Sequence, residues 1–341
     1  MIEALPPLRH LDDQFTLFKC CGRLAYIEMF IGNVAESERL LDEAYALAGA
    51  LSNTWAISGT LVARGCLEVE RGEMAAARPY LEEGLRLGRT VGENRVISHA
   101  LCYLGIVALA QEQLDVAEEI NRECLIISSA HQDRYIMVKA LYNLGEIARR
   151  RSDYATAHYF LEEALALAQS IHDRLSEITV LTALGQVTAA EGHIVEAAAL
   201  LHRAVNTNEH APLPIILDAL AALSICELTH APLLQVLTLL RYLANHRYTR
   251  TTTRAQVDRQ WQTLTQQCDP ALLIEAETQA AALAAAAPTV LANLLKPVVT
   301  LPAAYPLTPH LDPAVTDADH TAELAAPVIR DPAQSSARPV L

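Results

Sequence analysis

The sequence contains few aromatic residues and no long apolar run. Phe, Trp and Tyr make up 5% of the 341 residues although 52% are hydrophobic, so alanine and leucine supply most of the apolar material. Sheets collect aromatic and β-branched residues, whereas closely packed helices do not need them, and the composition therefore favours an all-α fold. A membrane span needs about eighteen consecutive apolar residues, and no such stretch free of polar breaks occurs.

The sequence also lacks a net positive charge and a Cys-x-x-Cys pair. The net charge of −14 argues against direct binding to nucleic acid, because phosphate binding requires a basic surface. Seven cysteines are present without a Cys-x-x-Cys pair, so we expect reduced thiols and no metal site. The first residues carry charges and prolines where a signal peptide needs an apolar run, and we expect a cytoplasmic protein.

Motifs that carry catalysis are absent as well. The sequence has no HExxH, no GxSxG, no dinucleotide-binding loop, no EF-hand and no GxxxxGK[ST] loop. Acidic pairs such as Glu162–Glu163 are most simply a solvated helix face. We therefore predict a protein without catalytic residues, cofactor or metal.

A forty-residue period organises most of the chain. One register holds a glycine in four units and alanine in the unit before them: Ala25, Gly65, Gly105, Gly145 and Gly185. Twelve positions later comes a small residue: Ser37, Ala77, Ala117, Ala157 and Ala197. Sixteen positions after the glycine register, leucine recurs with one asparagine exception: Leu41, Leu81, Asn121, Leu161 and Leu201. A glycine inside a helix costs about 1 kcal/mol relative to alanine, so its recurrence predicts positions at which two helices approach closely.

The helix ends repeat with the same period. A break recurs where the first helix of each unit should stop, at Gly32, Gly72, Glu112, Ser152 and Gly192. Glycine there indicates a left-handed C-cap. The boundary before the next unit carries Asn53, Glu93, Asp133 and Asp173, of which Asn and Asp are good N-caps. Each unit therefore reads as helix, turn, helix and loop, with helices of roughly 15 residues or about 22 Å.

These patterns predict four segments. Residues 1–14 form an N-terminal lead, 15–250 a helical solenoid, 251–296 C-terminal capping helices and 297–341 a proline-rich tail expected to be disordered. The solenoid comprises about six helix-pair repeats, the last of them degraded: 15–53, 54–93, 94–133, 134–173, 174–213 and 214–250.

The repeat pattern Leu-Gly-x2-Ala, a short turn and Ala-x3-[Phe/Leu]-x2-Ala resembles the tetratricopeptide repeat (TPR). The likeness covers residues 15–205 well and extends loosely to about 245, with a period longer than the roughly thirty-four residues usual in that family. "YNLGEIARRRSDYATAHYFLEEALALAQSIHDR" is similar to repeats in the sensor arms of bacterial signal-transducing ATPases with numerous domains, which include regulators related to the maltose-regulon activator.

This resemblance implies a right-handed TPR-like α-solenoid that senses an inducer or a partner. Those regulators also carry an ATPase module, whose phosphate-binding loop this sequence does not contain. The chain is therefore either a stand-alone arm or a piece of a larger regulator.

The TPR register also places candidate binding residues in the concave groove. They are His99, Tyr103, Lys139, Tyr142, Asn143, Glu146, Arg149 and Arg150. Lys139 and Asn143 resemble half of the clamp by which some TPR proteins hold a C-terminal carboxylate, whereas Thr179 and Ala183 occupy the places of the other half. The arginines 149–151 either belong to the groove or form a solvated helix end that interacts with the helix dipole.

Apolar residues surround most of the first predicted helix. They are Leu17, Phe18, Cys20, Cys21, Leu24, Ile27, Phe30 and Ile31. Because a terminal repeat normally presents a polar outer face, either an upstream NTPase module or partner packs there or residues 1–14 fold back as a cover.

These observations predict a non-catalytic scaffold or sensor arm of a bacterial regulatory system that binds a protein or peptide segment in its groove. A receptor arm for a small inducer, from a split or truncated ATPase or transcriptional regulator, is the alternative. An enzyme with an unrecognised site is the least favoured hypothesis.

Overall fold

The computed structural model describes residue 9 and residues 13–207, 212–226, 233–246, 249–266 and 268–284, and within these ranges it contains helices and no strand. The helices are α1 Gln14–Phe30, α2 Val34–Ala50, α3 Thr54–Arg71, α4 Met74–Val91, α5 Asn94–Ala110, α6 Leu114–Ala130, α7 Arg134–Arg150, α8 Tyr154–Ser170, α9 Arg174–Ala190, α10 Ile194–Asn206, α11 Leu213–Cys226, α12 Leu233–Asn245, α13 Thr251–Thr265 and α14 Pro270–Ala284. The prediction of an all-α fold is confirmed within these ranges.

Some predicted features lie outside the described residues. The chain divides into two units, Met1–Val298 and Val299–Leu341, and the second unit contains no described residue. The prediction of a disordered tail at 297–341 therefore stays a prediction, as does most of the lead at 1–14. Among the described helices, none combines the length and the hydropathy that a membrane span requires.

Ten helices pair as five hairpins, from α1–α2 to α9–α10, and each hairpin packs on the next. The first helices of consecutive hairpins, α1, α3, α5, α7 and α9, contact one another, whereas consecutive second helices contact each other much less. In a curved helix-pair solenoid the more closely spaced helices line the concave side. We call the side lined by these five first helices the inner surface.

Small residues bring the two helices of each hairpin together. A Cβ atom placed on Gly65 would lie 2.5 Å from Cγ of Leu81, and one placed on Gly185 would lie 2.6 Å from Cγ of Leu201. Both distances are shorter than van der Waals contact, so only glycine allows the observed approach. In the first hairpin the buried Ser37 instead donates a hydrogen bond of 2.8 Å to the carbonyl oxygen of Ala25.

A left-handed residue separates successive helices every twenty residues. Positive φ angles occur at Gly32, Ser52, Gly72, Gly92, Glu112, Gln132, Ser152, His172 and Gly192. The five predicted C-cap positions are among them, including the non-glycine ones, while sequence reasoning missed the four at the ends of the second helices. At Ser152, whose φ is 61°, hydrogen bonds from Ser152 N to Arg149 O and from Asp153 N to Ala148 O form a Schellman motif.

Three of the four predicted N-caps form a side-chain capping hydrogen bond, and the fourth does not. Asn53, Asp133 and Asp173 each accept a hydrogen bond from the backbone N–H three residues later. Glu93 makes no side-chain capping bond, as expected of a poor N-cap.

The C-terminal helices pack differently from the five hairpins. Helix α12 contacts α14 more extensively than it contacts α11. Val257 of α13 is fully buried in the same apolar cluster as the partly buried Trp261 and Leu264, so three members of the predicted capping stripe share one core. The fourth member, Cys268, follows the end of α13 at Thr265.

The N-terminal end retains exposed apolar side chains. Ile27 is 44% exposed and Ile31 is 52% exposed. Arg9, in the predicted lead, donates hydrogen bonds of 2.8 and 2.7 Å to the carboxylate of Glu43 on α2. This contact places one residue of the lead against the first hairpin, while Ile27 and Ile31 stay accessible.

Candidate functional site

The predicted binding residues lie on α5 and α7, two helices of the inner surface. Their distribution within these helices follows helical spacing, since Lys139, Tyr142, Glu146 and Arg149 recur every three or four residues and so share one face of α7. The structure gathers most of the eight residues into two clusters near the ends of α7, places Tyr142 between them and turns Asn143 into the interior.

The first cluster surrounds the ammonium group of Lys139. Nζ of Lys139 lies 3.1 Å from the hydroxyl of Tyr103, to which it donates a hydrogen bond. The same atom lies 5.0 Å from the ring centroids of Tyr103 and Tyr135 and 5.7 Å from that of Phe30. Because Phe30 ends α1 and Lys139 is on α7, the first and fourth hairpins meet here across the inner surface.

Lys139 keeps its positive charge within this cluster. Burial disfavours the ammonium, but Tyr135 and other neighbours, including Glu70, counter it and leave the pKa of Lys139 above its usual value. Three aromatic faces attract the cation through their quadrupoles. Lys139 therefore stays charged at neutral pH while half-buried among rings.

His99 lies beside this cluster on α5. Burial and, to a smaller degree, Lys139 lower the pKa of His99 to about 4. The imidazole is therefore neutral at pH 7, and its ring nitrogens offer a donor and an acceptor on the half-buried inner surface.

The second cluster gathers charges at the other end of α7. Glu146 is buried and accepts hydrogen bonds from Nε of Arg149 at 2.7 Å and from Nε of Arg150 at 3.1 Å. Arg150 also donates to the carbonyl oxygen of Leu109 at 2.9 Å. Arg151 pairs with Asp115 at 2.6 Å. These arginines are therefore paired within the protein, and whether they belong to the groove or form a solvated helix end stays a prediction.

Asn143 lies in the interior and not on the inner surface. Its amide Nδ2 donates to Oδ1 of Asn121 at 2.9 Å and to the carbonyl oxygen of Cys102 at 3.3 Å, and the residue is 2% exposed. Tyr103 is likewise 2% exposed and reaches the surface cluster through its hydroxyl. The structure therefore does not offer Asn143 as the partner of Lys139 in a carboxylate clamp, because its donors bond across the α5–α6–α7 interface.

Tyr142 lies between the two clusters and is half-buried. Burial is the main cause that raises the pKa of Tyr142. The charges of Glu146 and Asp218 raise this pKa further, and the charge of Arg250 lowers it. Arg250, just before α13, donates to Asp218 of α11 at 2.8 Å and to Glu70 of α3 at 3.4 Å. The start of the capping helices thus crosses the inner surface and contacts the second hairpin.

Sequence reasoning missed several residues of this surface. Tyr135 stands one helical turn before Lys139, so helical spacing could have identified it. Phe30, Glu70, Asp218 and Arg250 belong to distant parts of the chain, and no local signal connects them to α7. Among the described residues, no cluster of three or more His, Cys, Asp or Glu side chains has the arrangement of a metal site.

Comparisons with known proteins give one family match and several structural neighbours. Residues 136–209 match the family model described as Tetratricopeptide repeat. A comparison with curated proteins found no match. This chain spans 41% of the length of a Signal Transduction ATPase with Numerous Domains protein with a tetratricopeptide repeat sensor from Pyrococcus horikoshii, at 13% identity over 82% of this chain and a TM-score of 0.48.

Three solved structures are more similar in fold. NprR in complex with its cognate peptide NprX has a TM-score of 0.57 at 13% identity and covers 83% of this chain and 90% of its own. A Rap protein complexed with Competence and Sporulation Factor has a TM-score of 0.53 at 13% identity, with coverage of 77% and 76%. Aspartyl phosphate phosphatase F from Bacillus subtilis has a TM-score of 0.52 at 12% identity, with coverage of 82% and 79%.

The repeat sequence, the recurrent helix hairpins and these structural neighbours lead to one conclusion. Residues 136–209 carry tetratricopeptide repeat sequence, and the protein folds as a TPR-like α-solenoid.

Proposed function

We propose that this chain is a non-catalytic scaffold or sensor arm of a bacterial regulatory system and that it binds a protein or peptide segment on its inner surface. One observation carries the proposal: His99, Lys139 and Tyr142 are half-buried side chains on the consecutive first helices α5 and α7. Tyrosine is among the residues that most often anchor a polypeptide ligand, and Lys139 and His99 add polar groups beside Tyr142.

The structural neighbours make a peptide the first ligand class to test. NprR and the Rap protein are each described in complex with a peptide or factor, and they share the solenoid fold of this chain. Their sequence identity of 13% carries no residue of their sites over to this protein. The argument for a peptide therefore rests on the inner surface itself.

A receptor for a small inducer is the second candidate. The observation that favours it is that the chain's own side chains occupy part of the inner surface, through the contacts of Lys139 with Phe30 and of Arg250 with Glu70. These contacts reduce the part of the inner surface that an extended polypeptide could follow, and a small molecule needs less of that surface. We also propose that the protein acts in the cytoplasm and that an NTPase module or another partner packs on α1, where Ile27 and Ile31 are exposed.

Two tyrosine variants of the full chain test the role of the inner surface. Tyr142→Ala removes a side chain from the inner surface. Tyr159→Ala removes a tyrosine that is 51% exposed on α8, the second helix of the same hairpin. Immobilised wild type and variants are exposed to a random octapeptide pool, and the retained peptides are quantified by mass spectrometry. Circular dichroism melts confirm that both variants remain folded.

We expect Tyr142→Ala to lose most of the retained peptides and Tyr159→Ala to keep them. Equal retention by all three proteins, or none by wild type, contradicts peptide binding at the inner surface. A cytosolic metabolite extract that raises the melting temperature of wild type and not of Tyr142→Ala would favour the small-inducer alternative. Turnover of a defined substrate by the purified chain would overturn the assignment as a non-enzyme.

A further inference from the structure

The two ends of the described helix stack both expose apolar side chains. In α1 at one end Ile27 is 44% exposed, and in α14 at the other end Ile274 is 66% exposed. The terminal repeats of a solenoid normally present a polar outer face, because no neighbouring repeat covers them. Each end of this stack therefore has the character of an interface and not of a cap.

The exposed face of α1 corresponds to a face that is buried in every later hairpin. Cys20, Arg23 and Ile27 lie three and four residues apart, so they share one face of α1. At the same register the next four first helices carry only buried residues: Thr60, Ala63, Leu67, Ala100, Tyr103, Val107, Ala140, Asn143, Ile147, Val180, Ala183 and Val187. Each of those helices packs against the second helix of the preceding hairpin. The repeat geometry therefore indicates that another helix fits along this face of α1.

Helix α14 presents a face with a matching order of side chains. Ala280 is buried in the apolar cluster that α14 shares with α12, whereas Ile274, Thr278 and Ala281 are exposed at spacings of four and three residues. The exposed face of α1 has the same spacings when it is followed in the opposite chain direction, from Ile27. Antiparallel packing of the two helices would place Ile274 beside Ile27, and the small Ala281 would allow a close approach at the other end of the contact.

The two faces also carry opposite charge. Helix α1 has two basic residues, Lys19 and Arg23, and one acid, Glu28, which is buried. Lys19 and Arg23 are exposed and form no ion pair within the described part of the chain. Helix α14 has two acids and no basic residue, and its Glu275 is exposed next to Ile274. The end of the stack at α1 is therefore cationic and the end at α14 is anionic.

We propose that the chain self-associates head to tail, with α14 of one copy packed antiparallel on α1 of the next copy. The contact buries Ile27 against Ile274 and pairs Glu275 with Arg23. A two-fold contact between two α1 helices would oppose cations, and one between two α14 helices would oppose acids, so charge favours the head-to-tail arrangement. A heterologous contact of this kind repeats from copy to copy.

This inference rests on one part of the proposed function, namely that a partner packs on α1, and it commits to a second copy of the chain as that partner. The contact involves only the two ends of the stack and no residue of the inner surface. Self-association and peptide retention through Tyr142 are therefore independent, and each can fail without the other.

Charge-exchange variants of the full chain test the contact. Sedimentation velocity measures the mass of wild type, Arg23→Glu and Glu275→Arg at concentrations from micromolar to near-millimolar. Wild type should form concentration-dependent oligomers, and each variant alone should associate about tenfold more weakly, because like charges then face each other. Both positions are exposed, so both variants should stay folded, which circular dichroism melts verify.

An equimolar mixture of the two variants provides the sharpest measurement. Every head-to-tail contact between unlike copies in this mixture joins opposite charges, so association should return toward the wild-type level. Arg134→Glu makes the same charge change at an exposed position of α7 and should leave association unchanged. Ile27→Ser and Ile274→Ser should each weaken association, since each removes one side of the apolar contact.

A wild-type protein that stays monomeric at every concentration overturns the inference. Association that neither charge variant weakens, or a mixture that associates no better than its components, overturns it as well. Association that Ile27→Ser weakens and Ile274→Ser does not would indicate a two-fold contact through α1 and would contradict the head-to-tail arrangement. Loss of self-association in Arg23→Glu with unchanged retention of the octapeptide pool would support the inference independently of the inner surface.

Discussion

Gly145 of α7 lies directly against Leu161 of α8. A Cβ atom on Gly145 would stand 2.6 Å from Cγ of Leu161 and 3.4 Å from the carbonyl oxygen of Ala157. Both neighbours belong to the facing helix and are buried, so neither can move without repacking the hairpin. The glycine that weakens the helix locally is therefore the residue that allows the two helices to approach.

Gly145→Ala should destabilise the protein by about 1–3 kcal/mol, because the added methyl group overpacks the contact with Leu161. Gly49→Ala in α2 is the matched control, since a Cβ atom there meets nothing within 4 Å. That control should be neutral or stabilising by up to about 1 kcal/mol through helix propensity. Urea unfolding of both variants provides the measurement, and equal changes would show that Gly145 has no packing role.

Ser152→Gly should stabilise the protein by about 0.5–1 kcal/mol. Ser152 adopts a φ of 61°, where a side chain is disfavoured and glycine is not. The gain is partly offset by the greater freedom of glycine in the unfolded chain. Thermal unfolding measures the change, and Ser152→Ala serves as the control because alanine keeps the unfavourable Cβ atom. A Ser152→Gly protein less stable than Ser152→Ala would contradict the assignment.

Asn121 and Asn143 should behave as a coupled pair. Asn143→Ala introduces the residue found at the same register in the second and fifth units, Ala63 and Ala183, yet it should cost about 1–3 kcal/mol by removing a buried donor from Oδ1 of Asn121.

The double variant Asn121→Leu/Asn143→Ala recreates the pattern of those units and should lose less stability than the sum of the single variants. The coupling is read from a double-mutant cycle of unfolding free energies. Strict additivity would show that the hydrogen bond between the two amides contributes nothing.

His99 should make the protein less stable in acid. The pKa of His99 is about 4 in the folded protein and has a reference value of 6.5, because burial, Lys139 and Arg95 outweigh the opposite effect of Asp133. Between these pH values the unfolded chain binds more protons than the folded one, so the free energy of unfolding falls as the pH is lowered through this window. Since His99 is half-buried, the loss is on the order of 1–3 kcal/mol.

The measurement is the change in unfolding free energy between pH 7 and pH 4.5 for wild type and for His99→Gln. Carboxylates with a lowered pKa make both proteins less stable in acid, as at Glu177, where hydrogen bonds from Gln169 and Arg174 outweigh burial. Only the difference between the two proteins therefore reports on His99. His99→Gln should be less sensitive to acid than wild type. The same pH sensitivity in both proteins would contradict the depressed pKa of His99.

Much of the fold could be predicted from particular residues. The register of Gly65, Gly145 and Gly185 fixes where helices cross, and the C-cap residues fix where the first helices end. The left-handed residues that end the second helices escaped prediction because only one of the four, Gly92, is the glycine that usually marks such a position. Backbone geometry, set by the length of each helix and turn, requires positive φ there whatever the residue.

The candidate site was less accessible to prediction. Helical spacing places Lys139, Tyr142 and Glu146 on one face, but it does not show that Asn143 bonds inward or that Glu146 is already paired with two arginines. Those outcomes depend on how far α5 and α6 lie from α7. Hydrogen-bond partners across an interface are set by distances of a few tenths of an ångström, which a repeat pattern does not contain.

The sequence alone determined that this protein is a stack of helix hairpins, because a hydrophobic period and the small residues that permit close helix contact are local properties repeated every forty residues. The tertiary structure decided what surrounds Lys139, since Phe30 from the first hairpin meets it across the curvature of the stack. It also decided that Arg250 donates a hydrogen bond to Glu70, 180 residues earlier in the chain. Such contacts depend on the small rotation between successive hairpins, summed over several repeats. That sum is a property of the packed assembly and not of any one repeat.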